Sequence, residues 1–88
     1  MITRQFEIIN KTGLHARPAS EFVLLAKKFE SKVTIAKEGG EPVNAKSMVR
    51  LLAEGIGQGC KVELAADGPD ENQAMEELAK LIESGFGE

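Results

Sequence analysis

The stretch GLHARPASEFVLLAKKF, residues 13–29, changes character at Ala16. From there Ala16, Ala19, Phe22, Val23, Ala26 and Phe29 recur at steps of three and one, which predicts a helix over residues 16–29 with one buried stripe. Pro18 falls in its first turn, where a missing N–H costs nothing. His15, the one histidine of the chain, then stands at the N-cap, and Gly13 supplies the freedom for a sharp turn ahead of it.

Working outward, residues 2–9 (ITRQFEII) alternate Ile2, Phe6 and Ile8 with Thr3, Gln5 and Glu7, the period of a half-buried strand. On the other side, KVTIAK and PVNA flank the glycine turn EGGE, so residues 32–45 read as a hairpin. Ser47 can cap a short helix over Met48–Ala53, closed by the glycines that follow. CKVELAAD is a fourth alternating strand, and Asp70 with Gln73 resembles a capping box at the start of a last helix striped by Ala74, Leu78, Leu81 and Ile82. The final ESGFGE is expected to fray.

The order is therefore βαββαβα. Because every strand alternates, one sheet face is wet and the helices cover the other. The fold class is α+β, an open-faced β-sandwich expected to form one domain over residues 1–88, with the ferredoxin-like split fold as the rival topology.

Composition narrows function. Residues 1–66 hold ten Lys/Arg against seven Asp/Glu, whereas residues 67–88 hold one against seven, so the histidine lies in a mildly basic region. With neither Trp nor Tyr to stack bases and no dense basic stripe, an acidic protein is a better partner than nucleic acid. No apolar run is long enough to span a membrane, no secretory signal begins the chain, and a cytoplasmic location is the default. One histidine and a lone Cys60, read as an inert strand residue, make no metal cluster, and no cofactor motif is present.

At the helix start, the backbone amides of Ala16 and Arg17 and the Arg17 guanidinium could hold an anion beside His15. A ring nitrogen beside such an anion cradle is a candidate nucleophile. No second acid or base accompanies it, which disfavours a free-standing acid–base enzyme and favours a carrier that accepts a group and hands it on.

The segment GLHARPA, together with AKSMVRLL at residues 45–52, resembles the histidine-containing phosphocarrier (HPr) family of the bacterial phosphoenolpyruvate-dependent phosphotransferase system. The resemblance runs over nearly the whole chain and implies a four-stranded antiparallel sheet covered on one face by three helices. It implies that His15 is phosphorylated on Nδ1, that Arg17 is the active-site arginine, and that Ser47 corresponds to a serine some members offer to an HPr serine kinase. Enzyme I would be the donor and the IIA components of sugar permeases the acceptors, the chain catalysing nothing alone. A carrier of the nitrogen-related branch, or a regulatory module acting through Ser47, is the alternative. The expected docking face comprises Ser20, Leu24 and Lys27 of the first helix with Met48, Val49 and Leu52 of the second, rimmed by Lys28 and Arg50. A monomer is expected, since the site must meet successive partners.

Overall fold

The computed structural model describes residues 1–88. Four strands, β1 (Ile2–Glu7), β2 (Lys32–Lys37), β3 (Val43–Asn44) and β4 (Lys61–Asp67), form one antiparallel sheet in the order β1-β4-β2-β3. Three helices, α1 (Ala16–Ala26), α2 (Met48–Ala53) and α3 (Glu71–Glu83), complete the order βαββαβα. The open-faced sandwich thus prevails over the ferredoxin-like alternative.

Register explains why alternation was so readable. Ile2 lies opposite Ala66, which lies opposite Val33; Leu64 faces Ile35; Phe6 faces Val62. These inward rows join Phe22, Leu51, Leu78 and Ile82 from the helices in one core of 22 buried residues. Arg4 occupies the inward row opposite Leu64 yet stays exposed. Its guanidinium lies over the Phe6 ring, 4.9 Å from the centroid, and reaches Glu83 at 3.6 Å, so the stem covers the core while the charge stays wet.

Two boundaries and one helix cap differ from the sequence reading. The first helix ends at Ala26 because Lys28 N–H donates to the Leu25 carbonyl and Phe29 N–H to that of Ala26, tightening the last turn while Phe29 remains buried. The first strand stops at Glu7. Asp70 precedes α3, but its side chain makes no cap bond. Instead it accepts from the amides of Glu30 and Ser31, each at 2.9 Å, and from the Ser31 hydroxyl, tying the start of α3 to the turn after α1.

The C-terminal segment does not fray. A 3-10 turn over Gly85–Gly87 carries Phe86, at φ +56°, into the core, and Glu88 returns to Thr12. In α3 the buried stripe is Ala74, Met75, Leu78, Ala79 and Ile82, and Leu81 is only half-buried.

Candidate functional site

The loop from Ile8 to Leu14 carries His15 to its place. Ile8 N–H donates to the Cys60 carbonyl at 2.9 Å and Leu14 N–H to the Ile56 carbonyl at 2.8 Å, so both ends are pinned to the segment before β4. Buried Asn10 crosses the bend, its Nδ2 donating to the Gly13 carbonyl at 2.9 Å while its backbone carbonyl accepts from Gly13 N–H at 3.1 Å. Gly13 has φ +65°, and a Cβ there would meet the Ile56 oxygen at 2.5 Å. Glycine is required twice over, by dihedral angle and by close approach.

His15 is extended, φ −131° and ψ 162°, exposed, and makes no side-chain cap bond. Ala16 follows at φ +51°, a left-handed conformation that costs a residue with a Cβ about 1–2 kcal/mol. Nothing in the sequence marks it, since alanine is no turn residue. Ala19 is fully buried and Pro18 is buried, which lets α1 pack closely, whereas Ala16 is exposed and belongs to the site surface.

The amides of Ala16 and Arg17 have no protein acceptor, and Pro18 has no N–H to satisfy. No acidic side chain occupies the first turn. An exposed imidazole therefore adjoins two free amides, the positive end of the helix dipole and the exposed Arg17 side chain.

The sequence reading missed Glu88. Its carboxylate accepts from the Thr12 hydroxyl at 2.7 Å and from Thr12 N–H at 3.4 Å. The Thr12 hydroxyl holds it below the ordinary carboxylate range, with smaller contributions from the Thr12 amide, Asn10 and the charge of Arg17. Only a tertiary contact could reveal this, as the two residues are 76 positions apart.

Ser47 begins α2 as expected. Its hydroxyl accepts from Arg50 N–H at 3.3 Å, and Asn44 shapes the preceding turn by accepting from Lys46 N–H at 2.9 Å. Lys46 Nζ donates to the Phe29 carbonyl at 2.6 Å, linking this turn to the end of α1. Helices α1 and α2 lie side by side.

Of the six expected docking residues, Leu24, Lys27, Val49 and Leu52 are exposed, with Val49 78% accessible, while Ser20 is half-buried. Met48 departs from expectation: it is half-buried and packs against the core, because a six-residue helix needs more than Leu51 to seat it. Cys60 is free and half-buried just before β4, between Gly59 and Lys61 on the wall of the largest surface depression, about 300 Å³. None of the surface depressions is lined by His15.

The fold and the helix-end histidine define a class of small open-faced sandwiches that display one imidazole on an open surface. Comparison with known proteins makes the class specific. The family described as "PTS HPr component phosphorylation site" matches residues 2–84. Phosphocarrier protein HPr of Haemophilus influenzae is 44% identical over 82 residues, covering 93% of this chain and 95% of its own. HPr-like protein Crh of Halalkalibacterium halodurans is 46% identical, covering 94% and 98%. The multiphosphoryl transfer protein of H. influenzae is 44% identical over 94% of this chain, which spans only 17% of that protein's length. Among solved structures, HPr-C-His of Thermoanaerobacter tengcongensis superposes with a TM-score of 0.96 at 49% identity, covering 100% and 98% of the two chains. An HPr dimer from the same organism gives 0.79 at 51% identity, covering 94% of each chain. This chain belongs to the HPr phosphocarrier family of the phosphotransferase system.

Proposed function

We propose that this chain accepts a phosphoryl group on His15 Nδ1 from phosphorylated enzyme I and passes it to IIA components of sugar permeases. The observation that carries this reading is the exposed His15 at a helix start whose first amides are unpartnered. In the transfer, an Nδ1 lone pair attacks phosphorus, the bond from phosphorus to the donor atom breaks, and its electron pair stays with the donor. The amides of Ala16 and Arg17 and the Arg17 guanidinium bind the phosphoryl oxygens, a cradle fixed before the phosphate arrives. The chain supplies no general acid or base of its own, so catalysis rests on the partner and the chain serves as carrier.

Leu24, Val49 and Leu52, with the exposed edge of Met48 and half-buried Ser20, form the docking face; Lys27, Lys28 and Arg50 rim it with positive charge suited to an acidic partner. The carrier works as a monomer in the cytoplasm. Size-exclusion chromatography tests the first point, and a stable dimer at micromolar concentration would contradict it.

The test of function is incubation with phosphoenolpyruvate and enzyme I. Phosphorus NMR should show one acid-labile, alkali-stable phosphoimidazole, absent from His15→Ala. Undiminished labelling of that variant overturns the reading.

A second reading is favoured by the 46% identity with HPr-like protein Crh: a regulatory module acting through Ser47, modified by an HPr serine kinase. Phosphate at a helix start is accommodated by the dipole and leaves the fold intact, but its added negative charge beside the docking face repels an acidic partner. Efficient transfer through His15 favours the carrier; a chain inert toward enzyme I yet bound by a partner only after Ser47 phosphorylation favours the regulator. Pairing with nitrogen-branch rather than sugar-branch acceptors would separate the two carriers.

A further inference from the structure

Asn10 is only 4% exposed, and no donor in the chain reaches its Oδ1. A buried acceptor without a donor destabilises a fold, and such an exception points to a role for the other half of the side chain. That half donates: Nδ2 reaches the Gly13 carbonyl at 2.9 Å and, at a longer 3.4 Å, the Thr12 hydroxyl. Turned over, the amide would set its oxygen against the Gly13 oxygen, acceptor against acceptor, so its two ends are not interchangeable. At the far side of the same peptide unit, Leu14 N–H donates to the Ile56 carbonyl at 2.8 Å, and Leu14 itself is fully buried. The Gly13–Leu14 peptide is thereby held from both sides, its carbonyl by Asn10 and its amide by the segment before β4. Two residues on, the chain turns through Ala16 at φ +51°.

We infer that Asn10 is a positioning residue for phosphoryl transfer: by fixing the Gly13–Leu14 peptide it keeps Ala16 left-handed, and so keeps the amides of Ala16 and Arg17 beside the imidazole of His15. The inference rests on His15 as the phosphorylated residue. A peptide unit is planar, so bonds at its carbonyl and at its amide together fix its orientation. Alanine has no preference of its own for positive φ and stays there only while its surroundings over-determine it. With the Gly13 carbonyl released, the peptide rotates, Ala16 returns to an ordinary backbone region, and α1 is entered from another direction. Imidazole and amides must then find one another during transfer instead of being held together beforehand. Asn10 touches no reacting atom and lies outside the docking face.

The test uses Asn10→Ala and Asn10→Ser, neither of which carries a donor long enough to reach the Gly13 carbonyl. Phosphorylated enzyme I is mixed with increasing carrier by rapid quench. The plateau rate should fall about ten- to a hundredfold in both variants. The half-saturating carrier concentration should stay at its wild-type value, because docking is untouched. In the unphosphorylated variants, the strong intraresidue NOE between amide proton and Hα that positive φ gives Ala16 should weaken. Asp70→Asn, which loosens the tie between α3 and the turn after α1, should keep both rate and NOE. In the wild type, the Nδ2 protons of Asn10 should exchange with solvent far more slowly than those of exposed Asn72. A wild-type plateau rate or an undiminished Ala16 NOE in the Asn10 variants, the same losses in Asp70→Asn, or exchange at Asn10 as fast as at Asn72 overturns the inference. No labelling of the wild type would instead refute the carrier reading beneath it, and the Ala16 NOE would still decide what Asn10 positions.

Discussion

Two helix starts on this molecule are built oppositely. At α2 the Ser47 hydroxyl accepts from Arg50 N–H, the preceding residues form an ordinary polar turn, and the rules of helix capping are satisfied. At α1 there is no cap bond, two amides point at nothing, and the chain enters through Ala16 in a left-handed conformation. A helix start capped by its own hydroxyl is stabilised without a ligand. One left open, at a cost the surrounding packing must offset, is a place where an anion completes the structure. The difference separates the structural terminus from the functional one, although Ser47 can acquire a charge later.

The largest way to break this contrast is to remove what holds the α1 entrance in place. Gly13→Ala drives a Cβ into the Ile56 carbonyl and should cost about 3 kcal/mol in urea unfolding. Gly55→Ala, at φ +62° but with open space around it, should cost about 1 kcal/mol. Equal losses would mean that close approach to Ile56 is not what positions His15.

Next in size is Arg17. Charge-assisted bonds to the phosphoryl group contribute about 1.5 to 3 kcal/mol, so Arg17→Ala should slow transfer tenfold or more while unfolding stays near wild type, the side chain being exposed. Wild-type rates would show that the open helix end suffices without the guanidinium.

Ser47 sharpens the comparison from the other side. Ser47→Ala should lower stability by about 1 kcal/mol and leave phosphoryl transfer unchanged. Ser47→Asp should slow phosphorylation by enzyme I at low salt and Ser47→Asn much less, the gap closing as salt is added. Equal rates for the two would leave the serine as a cap alone.

The smallest effect is at the third helix start. The Ser31 hydroxyl, then the Glu30 amide, hold the Asp70 carboxyl below its ordinary range. A carboxyl depressed on folding adds stability that is fully present above its unfolded value and is lost as pH falls through its folded value, so this contribution fades only in acid. Asp70→Asn should flatten the acid limb of a stability–pH curve and lower stability modestly at neutral pH. An unchanged acid limb would show that the bonds at Ser31 do not depend on the charge.

These sites also show what a sequence discloses. Local rules were legible wherever the fold obeys them: strand alternation set the inward rows, and Ser47 announced α2 at its actual bounds, Met48–Ala53. His15, Arg17 and Gly13 were conspicuous because their residue types are costly or special at a helix start. What stayed hidden depends on distant partners. Asp70 read as a cap, yet its partners lie about 40 positions away. Phe86 and Glu88 read as a fraying tail, since one buried aromatic between glycines makes no periodic signal. Ala16 could not be anticipated, because its dihedral angle is imposed by the loop ahead of it and contradicts its own preference.

The most direct measurement compares the two helix starts in one experiment. Amide spectra of ¹⁵N-labelled protein, recorded before and after phosphorylation by enzyme I and phosphoenolpyruvate, report which backbone groups receive the phosphate. The amides of Ala16 and Arg17 should shift strongly downfield as they become hydrogen-bonded, while Arg50, whose N–H is already taken by Ser47, should hardly move. A phosphorylated protein in which Ala16 and Arg17 stay where they were would contradict the claim that the open end of α1 is the phosphate cradle.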